Sequence, residues 1–345
     1  MTFRTAFVTG GTGLLGNNLV RALLDRGVAV RALVRSPEKA KAQFAGLDVE
    51  VICGDLRNIH GFAESLREQD VVFHTAAYYR ESFQGGNHLR QLNKINVDGT
   101  SQLLSYCYSM GVRKFVHTST AGVLDGPSGM PLEENMRRNP EDADDYFRSK
   151  ILADLEVDAF LGSHPDFDAS LVLPGWMYGP GDMGPTSSGR IVLNFLNRRL
   201  PGVPRGSFPV VDARDVAHSM IAAAERGGRG ERYLAAGRHM TLADLFARLE
   251  KLTGISAPAM KIPAPALYAM AAAGEAWARL SHKPVFLSMA TAKLMIRESG
   301  RSHYYHGKTD RELGTKFRPF EDTLRDVVAW YRSHGYVEFH SGHAA

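Results

Sequence analysis

The chain has 345 residues, 44% of them apolar and 23% charged. Those are the proportions of an ordinary globular protein, and they exclude a disordered, collagen-like or disulfide-scaffold chain. At about 150 residues per domain the length suggests roughly two domains. The net charge of +4 is spread along the chain; it is weak support for a nucleic-acid partner, and an anionic small ligand accounts for it equally well.

The first 175 residues alternate short β-rich runs with helical patterns. Thr5 to Thr9 reads as a strand and Leu14 to Arg26 as a helix with apolar residues at 15, 19, 23 and 24. Strands follow at Val28–Val34, Val49–Cys53 and Val71–His74, then a helix over 96–110, a strand at Lys114–Thr118, a helix over 145–160 and a strand at Ala169–Leu173. Continuous apolar strands separated by helices imply a parallel sheet buried on both faces, and right-handed crossovers make it doubly wound, a Rossmann-type α/β fold. Residues 175–210 are rich in Gly, Pro and Ser and show little periodicity. A helix over 213–226 and a strand over 232–236 then rejoin the first pattern. The expected division is a nucleotide-binding domain of residues 1–174 joined by 211–237, and a smaller, mostly helical substrate domain of 175–210 and 238–345. Phe320 to Tyr336 reads as its closing helix.

Cys53 and Cys107 sit in apolar runs and read as buried reduced thiols. No signal-peptide pattern opens the chain, and Ile262–Leu280, the longest apolar run, is interrupted by Pro263, Pro265, Glu275 and Arg279. A soluble, cytoplasmic protein without a membrane span is expected. His239, His303 and His306 lack metal-ligand spacing, so no metal site is expected. Trp277 and Trp330 read as packing residues.

Thr9-Gly-Gly-Thr-Gly-Leu-Leu-Gly16 joins the first strand to the first helix. Gly10, Gly13 and Gly16 allow a tight turn, approach of a phosphate to bare backbone and close helix–strand packing, and the helix N-terminus offers amides and a positive dipole end. Thr12, Leu14 and Leu15 complete this pyrophosphate loop. Arg35, at the end of the second strand, stands where an acidic residue selects NAD and an Arg accommodates the 2′-phosphate of NADP. Lys39 is a second candidate cation; a solvated strand-end arginine is the plain alternative. Asp55 and Leu56 follow the third strand, and Ala76 and Ala77 follow the fourth, where such a sheet opens toward ligand. Asp55 either accepts from an adenine amino group or caps the next helix.

Tyr146 and Lys150 are four residues apart, on one helical face. A neighbouring ammonium and an oxidised nicotinamide both favour the phenolate, and together they lower the phenol's pKa toward the working range of an acid/base catalyst. Upstream, Thr118-Ser119-Thr120 places hydroxyls at a strand's carboxyl end. These pieces, with Gly54-Asp55-Leu56, Asn96-Val-Asp-Gly-Thr100 and Pro174-Gly175, resemble the extended branch of the short-chain dehydrogenase/reductase superfamily, the NAD-dependent epimerases, dehydratases and reductases. The chain is most similar to dihydroflavonol-4-reductase-like proteins of bacteria, including hopanoid-associated sugar epimerase-like ones. The resemblance implies that Tyr146 is the general acid/base, that Lys150 holds the nicotinamide ribose, and that Thr120 is the catalytic hydroxyl, with Ser119 the alternative if the register slips by one. It implies for Asn96 a role in supporting the lysine, an N-cap being the other reading, and for Pro174, Gly175 and Met177 a position against the nicotinamide. It also makes a homodimer through sheet-flanking helices plausible.

Thr120 is followed by Ala121-Gly122 and not by the carboxylates of a dehydratase. Leu173 is followed by Pro174 where nucleotide-sugar epimerases resemble one another in an Asn, and Phe208-Pro209 stands near the place of their Arg-Asp pair. The expected function is an NADP-dependent oxidoreductase reducing a small-molecule ketone or aldehyde, NAD being the alternative cofactor. A sugar or nucleotide-sugar epimerase is the alternative enzyme, and a cofactor-binding sensor the alternative of another class. Tyr78, Ser119, Trp176 and Tyr178 are candidate substrate residues, with Tyr79 and the Gly85-Gly86 loop at the border.

Overall fold

The computed structural model describes residues 3–79, 87–127, 129–281, 287–301 and 303–338; the Gly85-Gly86 loop lies outside them. Strand β1 (Thr5–Thr9) runs through the glycine turn into α1 (Leu14–Leu24), followed by β2 (Ala29–Val34), α2 (Pro37–Gln43), β3 (Glu50–Cys53) and β4 (Val71–His74). Next come α3 (Leu89–Leu92), a π-helical segment Asn93–Asp98, α4 (Gly99–Ser109), β5 (Lys114–Thr118), α5 (Asp145–Ser163) and β6 (Asp168–Pro174). The helix expected to start at Asn96 therefore starts seven residues earlier, and Asn96 sits inside it.

The segment 175–210 is more regular than its composition suggests. It holds β7 (Trp176–Tyr178), α6 (Ser187–Leu196), β8 (Val203–Pro204) and the start of β9 (Ser207–Asp212). The Thr186 hydroxyl caps α6 by accepting from the amide of Gly189, which starts the helix within a Gly- and Pro-rich stretch. The chain continues through α7 (Ala213–Arg226), β10 (Arg232–Ala235), β11 (Arg238–Thr241), α8 (Leu242–Thr253), β12 (Lys261–Ile262), α9 (Ala264–Ser281), α10 (Met289–Arg297), α11 (Gly307–Leu313) and α12 (Phe320–Ser333).

Among the described residues the main sheet is parallel, with strand order β10-β6-β5-β4-β1-β2-β3. Connections change direction between β1 and β4, and in an open α/β sheet ligands bind at the carboxyl end of such a point. One face of the sheet packs on α1 and α7 through Leu19, Val216 and Met220, and the other on α4 and α5 through Leu103, Leu104 and Val157. A second sheet, β11-β9-β7, carries a separate core with α6, α8 and α12. Residues 307–317 depart from the expected division, because Leu313 and Phe317 pack into the core of the main sheet. Cys53, read as buried, is exposed on the edge strand β3, whereas Cys107 is buried. Trp277, read as packing, is 65% exposed. No described helix is long and apolar enough to cross a membrane.

Leu19 is fully buried in the α1 interface with the sheet. Leu19→Ala is expected to cost about 2–5 kcal/mol through lost burial plus the residual cavity, measured by urea unfolding; a cost below about 1 kcal/mol would mean the interface collapses onto the smaller side chain.

Candidate active site

At the carboxyl edge of the sheet a cleft of about 320 Å³ runs from the glycine turn past β4 and β5 to the second sheet and α10. One wall is almost all backbone. Gly10 has φ of +70°, and a Cβ there would lie 2.9 Å from the backbone of Ala76; a Cβ on Gly16 would lie 2.2 Å from the carbonyl oxygen of Gly10. Side chains at either position would occupy the space through which α1 and β4 approach the turn. Gly13 begins α1 with no side-chain cap and no acidic residue in the first turn. The positive end of the helix thus faces the cleft with its amides available to an anion. The Thr9 hydroxyl accepts from the amides of Thr75 and Ala76 at 3.1 Å each, which ties the end of β4 to the turn. Thr12, Leu14, Leu15, Leu56, Ala76 and Ala77 all line this part. The cradle fits a dinucleotide pyrophosphate.

At the far end of this wall stand Arg35 and Lys39. Arg35 is exposed, has no ion-pair partner among the described residues, and its charge helps lower the Asp55 carboxyl. The Asp55 carboxylate accepts from the Arg57 backbone amide at 2.8 Å and from its guanidinium at 2.8 and 2.9 Å. It makes a local turn instead of a helix cap; the N-cap position of the next helical segment belongs to Asn58. An adenine amino group approaching Asp55 would share oxygens already engaged.

Helix α5 carries the second set of groups. It starts at Asp144, whose side chain accepts from the amide of Phe147 at 2.9 Å, and it turns Tyr146 and Lys150 into the cleft. The Lys150 ammonium donates to the Thr118 carbonyl at 2.6 Å, at the end of β5. Burial pushes it down to about 8, with Asp154 pulling the other way. Burial also pushes the Tyr146 phenol well above its ordinary value, reinforced by Tyr79 and by the Asp144 and Asp154 carboxylates. The phenol is held protonated.

The two candidate hydroxyls separate. Ser119 borders the cleft, but its hydroxyl donates to the buried Asp154 at 2.7 Å. Thr120 lines the cleft at the N-cap of a short helical turn, its hydroxyl accepting only a long 3.4 Å bond from Gly122. Asn96 caps nothing. Buried in the π-helical segment, its Oδ1 accepts from the Tyr78 amide at 2.7 Å, and its Nδ2 donates to the Tyr78 carbonyl at 3.1 Å and to Ser149 Oγ at 3.0 Å. The bond to Ser149 ties it to α5 beside Lys150.

The remaining wall is apolar and aromatic. Trp176 stacks on Phe208 with ring centroids 4.5 Å apart, and Tyr79 packs edge-on to Tyr146 at 4.9 Å. Phe147, Pro174, Gly175 and Met177 also border the cleft, as do Leu294 and Met295 of α10 and Tyr304. Tyr78 lines it too, its hydroxyl 2.7 Å from His88 Nδ1. Tyr178, expected to contact substrate, does not line the cleft. One pleat repeat beyond Trp176, it is 1% exposed and packs edge-on against Phe320. Sequence reasoning missed Leu294, Met295, Glu298, Arg301 and Tyr304, which no local pattern links to Tyr146. It also missed Asp154, although residues 146, 150 and 154 continue one helical face. Among the described residues no cluster of three or more His, Cys, Asp or Glu is placed to hold a metal.

Residues 6–236 match the family model described as the NAD dependent epimerase/dehydratase family. The chain is 34% identical to sterol demethylase protein B of Methylococcus capsulatus over 337 residues, covering 96% of this chain and all of that protein. It is 31% identical, over 78% of this chain and 79% of the relative, to the 4-hydroxy-2-methyl-3-oxo-4-farnesyl-3,4-dihydroquinoline-1-oxide ketoreductase of Stigmatella aurantiaca. Among solved structures, that of gox2253 superposes with a TM-score of 0.82 at 30% identity, covering 97% of this chain and 100% of the other.

His117 is fully buried, and burial first, then the Lys150 charge, depresses it from 6.5 to about 4 against the pull of Asp154. Between those values the unfolded chain binds a proton that the folded chain does not, so stability falls as pH falls from 6.5 toward 4. His117→Asn is expected to remove on the order of 2 kcal/mol of that loss, read as a flatter unfolding free energy between about pH 6.5 and 4.5. His74, depressed in the same direction by burial, keeps the remainder of the slope.

Proposed function

The chain belongs to the NAD-dependent epimerase/dehydratase family, an NAD(P)-dependent oxidoreductase/epimerase of the extended short-chain type, and on that premise we propose that it is an NADP(H)-dependent reductase of a ketone or aldehyde borne on an apolar body. The observation that carries this reading is the state of the cations at the substrate end. Among the described lining residues there, Arg301 is the cation, and it pairs with Asp125 at 2.6 Å. Its lining neighbour Glu298 pairs with the buried Arg138 at 2.9 Å. A sugar diphosphate needs unspent positive charge, and an arginine already satisfied by a carboxylate gains little by exchanging it for a phosphate. Aromatic rings, methionine and leucine favour an apolar body, whose burial contributes about 25 cal/mol per Å².

A nicotinamide coenzyme, when bound, supplies the hydride. Gly10 to Gly16 would hold its pyrophosphate, Lys150 its nicotinamide ribose, and Arg35 with Lys39 a 2′-phosphate. The chain's own residues handle the oxygen. Tyr146, kept as a neutral phenol by its burial, donates a proton to the carbonyl oxygen, and the Thr120 hydroxyl stabilises the charge that develops there. A neutral phenol carries the proton that must be given as the alcohol forms. Asn96 contributes as a clamp, binding the Tyr78 backbone on one side and α5 on the other.

NADPH absorbance is expected to fall in step with loss of an apolar carbonyl compound. Isomerisation of a sugar nucleotide without net coenzyme turnover would instead make the protein an epimerase. Tyr146→Phe is expected to lose at least about a hundredfold in kcat while coenzyme affinity stays close to wild type; unchanged turnover would indicate a sensor or a different acid. Arg35→Ala is expected to weaken NADP(H) about tenfold or more and leave NAD(H) nearly unaffected, so equal losses for both coenzymes in a binding titration would remove the assigned preference.

A further inference from the structure

Beneath the cleft lies a buried polar cluster that the proton transfer above does not use. Lys150 Nζ is 3.5 Å from His117 Nε2. The same Nε2 is 3.4 Å from Asp154 Oδ1. Asp154 Oδ2 accepts from the Ser119 hydroxyl at 2.7 Å and from Arg232 at 3.0 Å. All five residues are buried. His117 thus stands between an ammonium and a carboxylate with one nitrogen close to both, while its Nδ1 has no hydrogen-bond partner. A neutral imidazole has one N–H, so Nε2 either accepts from Lys150 or donates to Asp154.

A buried ammonium is costly without a nearby opposite charge. The groups facing Lys150 are few. On α5 they are Tyr146, held neutral, and Asp154. On β5 and β4 they are His117 and His74, both held neutral by burial. Arg232, on β10, pairs with Asp154 at 3.0 Å and helps hold its carboxyl ionised. Burial alone would push the Asp154 carboxyl up, but His117, Arg232 and Lys150 outweigh it and hold it below its usual range. Asp154 is therefore the standing negative charge of the cluster.

We propose that Asp154, acting across His117, is the buried counter-charge that keeps Lys150 an ammonium fixed to the Thr118 carbonyl, and so sets the upper pH limit for coenzyme binding. Asp154 and His117 are positioning residues in this account, since they act through Lys150. The inference rests on the reading that Lys150 holds the coenzyme ribose.

The test is the dissociation constant of NADPH for the full chain, followed by fluorescence between about pH 7 and 10. Wild type is expected to lose affinity as pH rises through about 8, where burial has placed the Lys150 ammonium. Asp154→Asn, which keeps the shape and removes the charge, is expected to move that midpoint down by about one unit, so that affinity at about pH 9 falls about tenfold below wild type while at about pH 6.5 it stays within about threefold. Asp154→Glu should restore the midpoint. Arg232→Gln removes the cation that shares the Asp154 carboxylate with Lys150 and should move it up. A role confined to packing would lower affinity equally at every pH. The inference is overturned if wild-type affinity is flat to about pH 10, or if the midpoint stays put in a folded Asp154→Asn. Should that variant not fold, the wild-type profile and the sign of the Arg232→Gln shift decide. Absence of NADPH binding by wild type at any pH would instead overturn the coenzyme reading, which carbonyl-dependent turnover tests separately.

Discussion

Helix α5 is fastened to the carboxyl end of β5 by two hydrogen bonds one helical turn apart, and the geometry of the cleft depends on that attachment. Lys150 donates to the Thr118 carbonyl, and Asp154 accepts from the Ser119 hydroxyl. Both bonds are buried, where exchange with water does not compete and a lost partner leaves an expensive orphan. Ser119 and Thr120 both border the cleft, and Ser119 has its hydroxyl engaged with the buried Asp154 carboxylate.

The cleft has two walls of opposite character. The glycine turn presents backbone and the positive end of α1, with Arg35 at its distal edge, free of ion pairs among the described residues. The other wall presents the Trp176–Phe208 stack, Phe147 and the apolar residues of α10, with its charges already paired. Anionic and apolar ligands are thus sorted to different ends, and the groups that handle a reacting oxygen lie where the walls meet. The π-helical segment 93–98 serves the same junction. An extra residue in the turn re-aims a side chain, and here it brings the Asn96 amide against the Tyr78 backbone and Ser149 at once.

Several local features are legible in the amino-acid sequence alone. The strand–glycine turn–helix order, the run of apolar strands and the Tyr146/Lys150 spacing are all properties of short segments, governed by φ/ψ preference and by the periods of strand and helix. The secondary structure within 175–210 is hidden there because Gly and Pro mask short strands, and a cap such as Thr186 shows only once its helix is known. Tyr178 departs from its expected place because a two-residue step along β7 gives the face but not the depth: Trp176 reaches the cleft and Tyr178 ends in a core against Phe320.

The doubly wound sheet, the anion-binding turn and the pairing of a phenol with an ammonium each follow from residues close together in the chain, so the linear order of residues was enough to dictate them. The surroundings of those groups come from folding. Packing of distant segments set the burial of the phenol, the His117–Asp154–Arg232 cluster near Lys150, and an apolar wall that joins Phe147 and Trp176 to Phe208, Leu294 and Met295. These depend on burial and on contacts across the fold, and desolvation and charge pairing have no period that a linear pattern can carry.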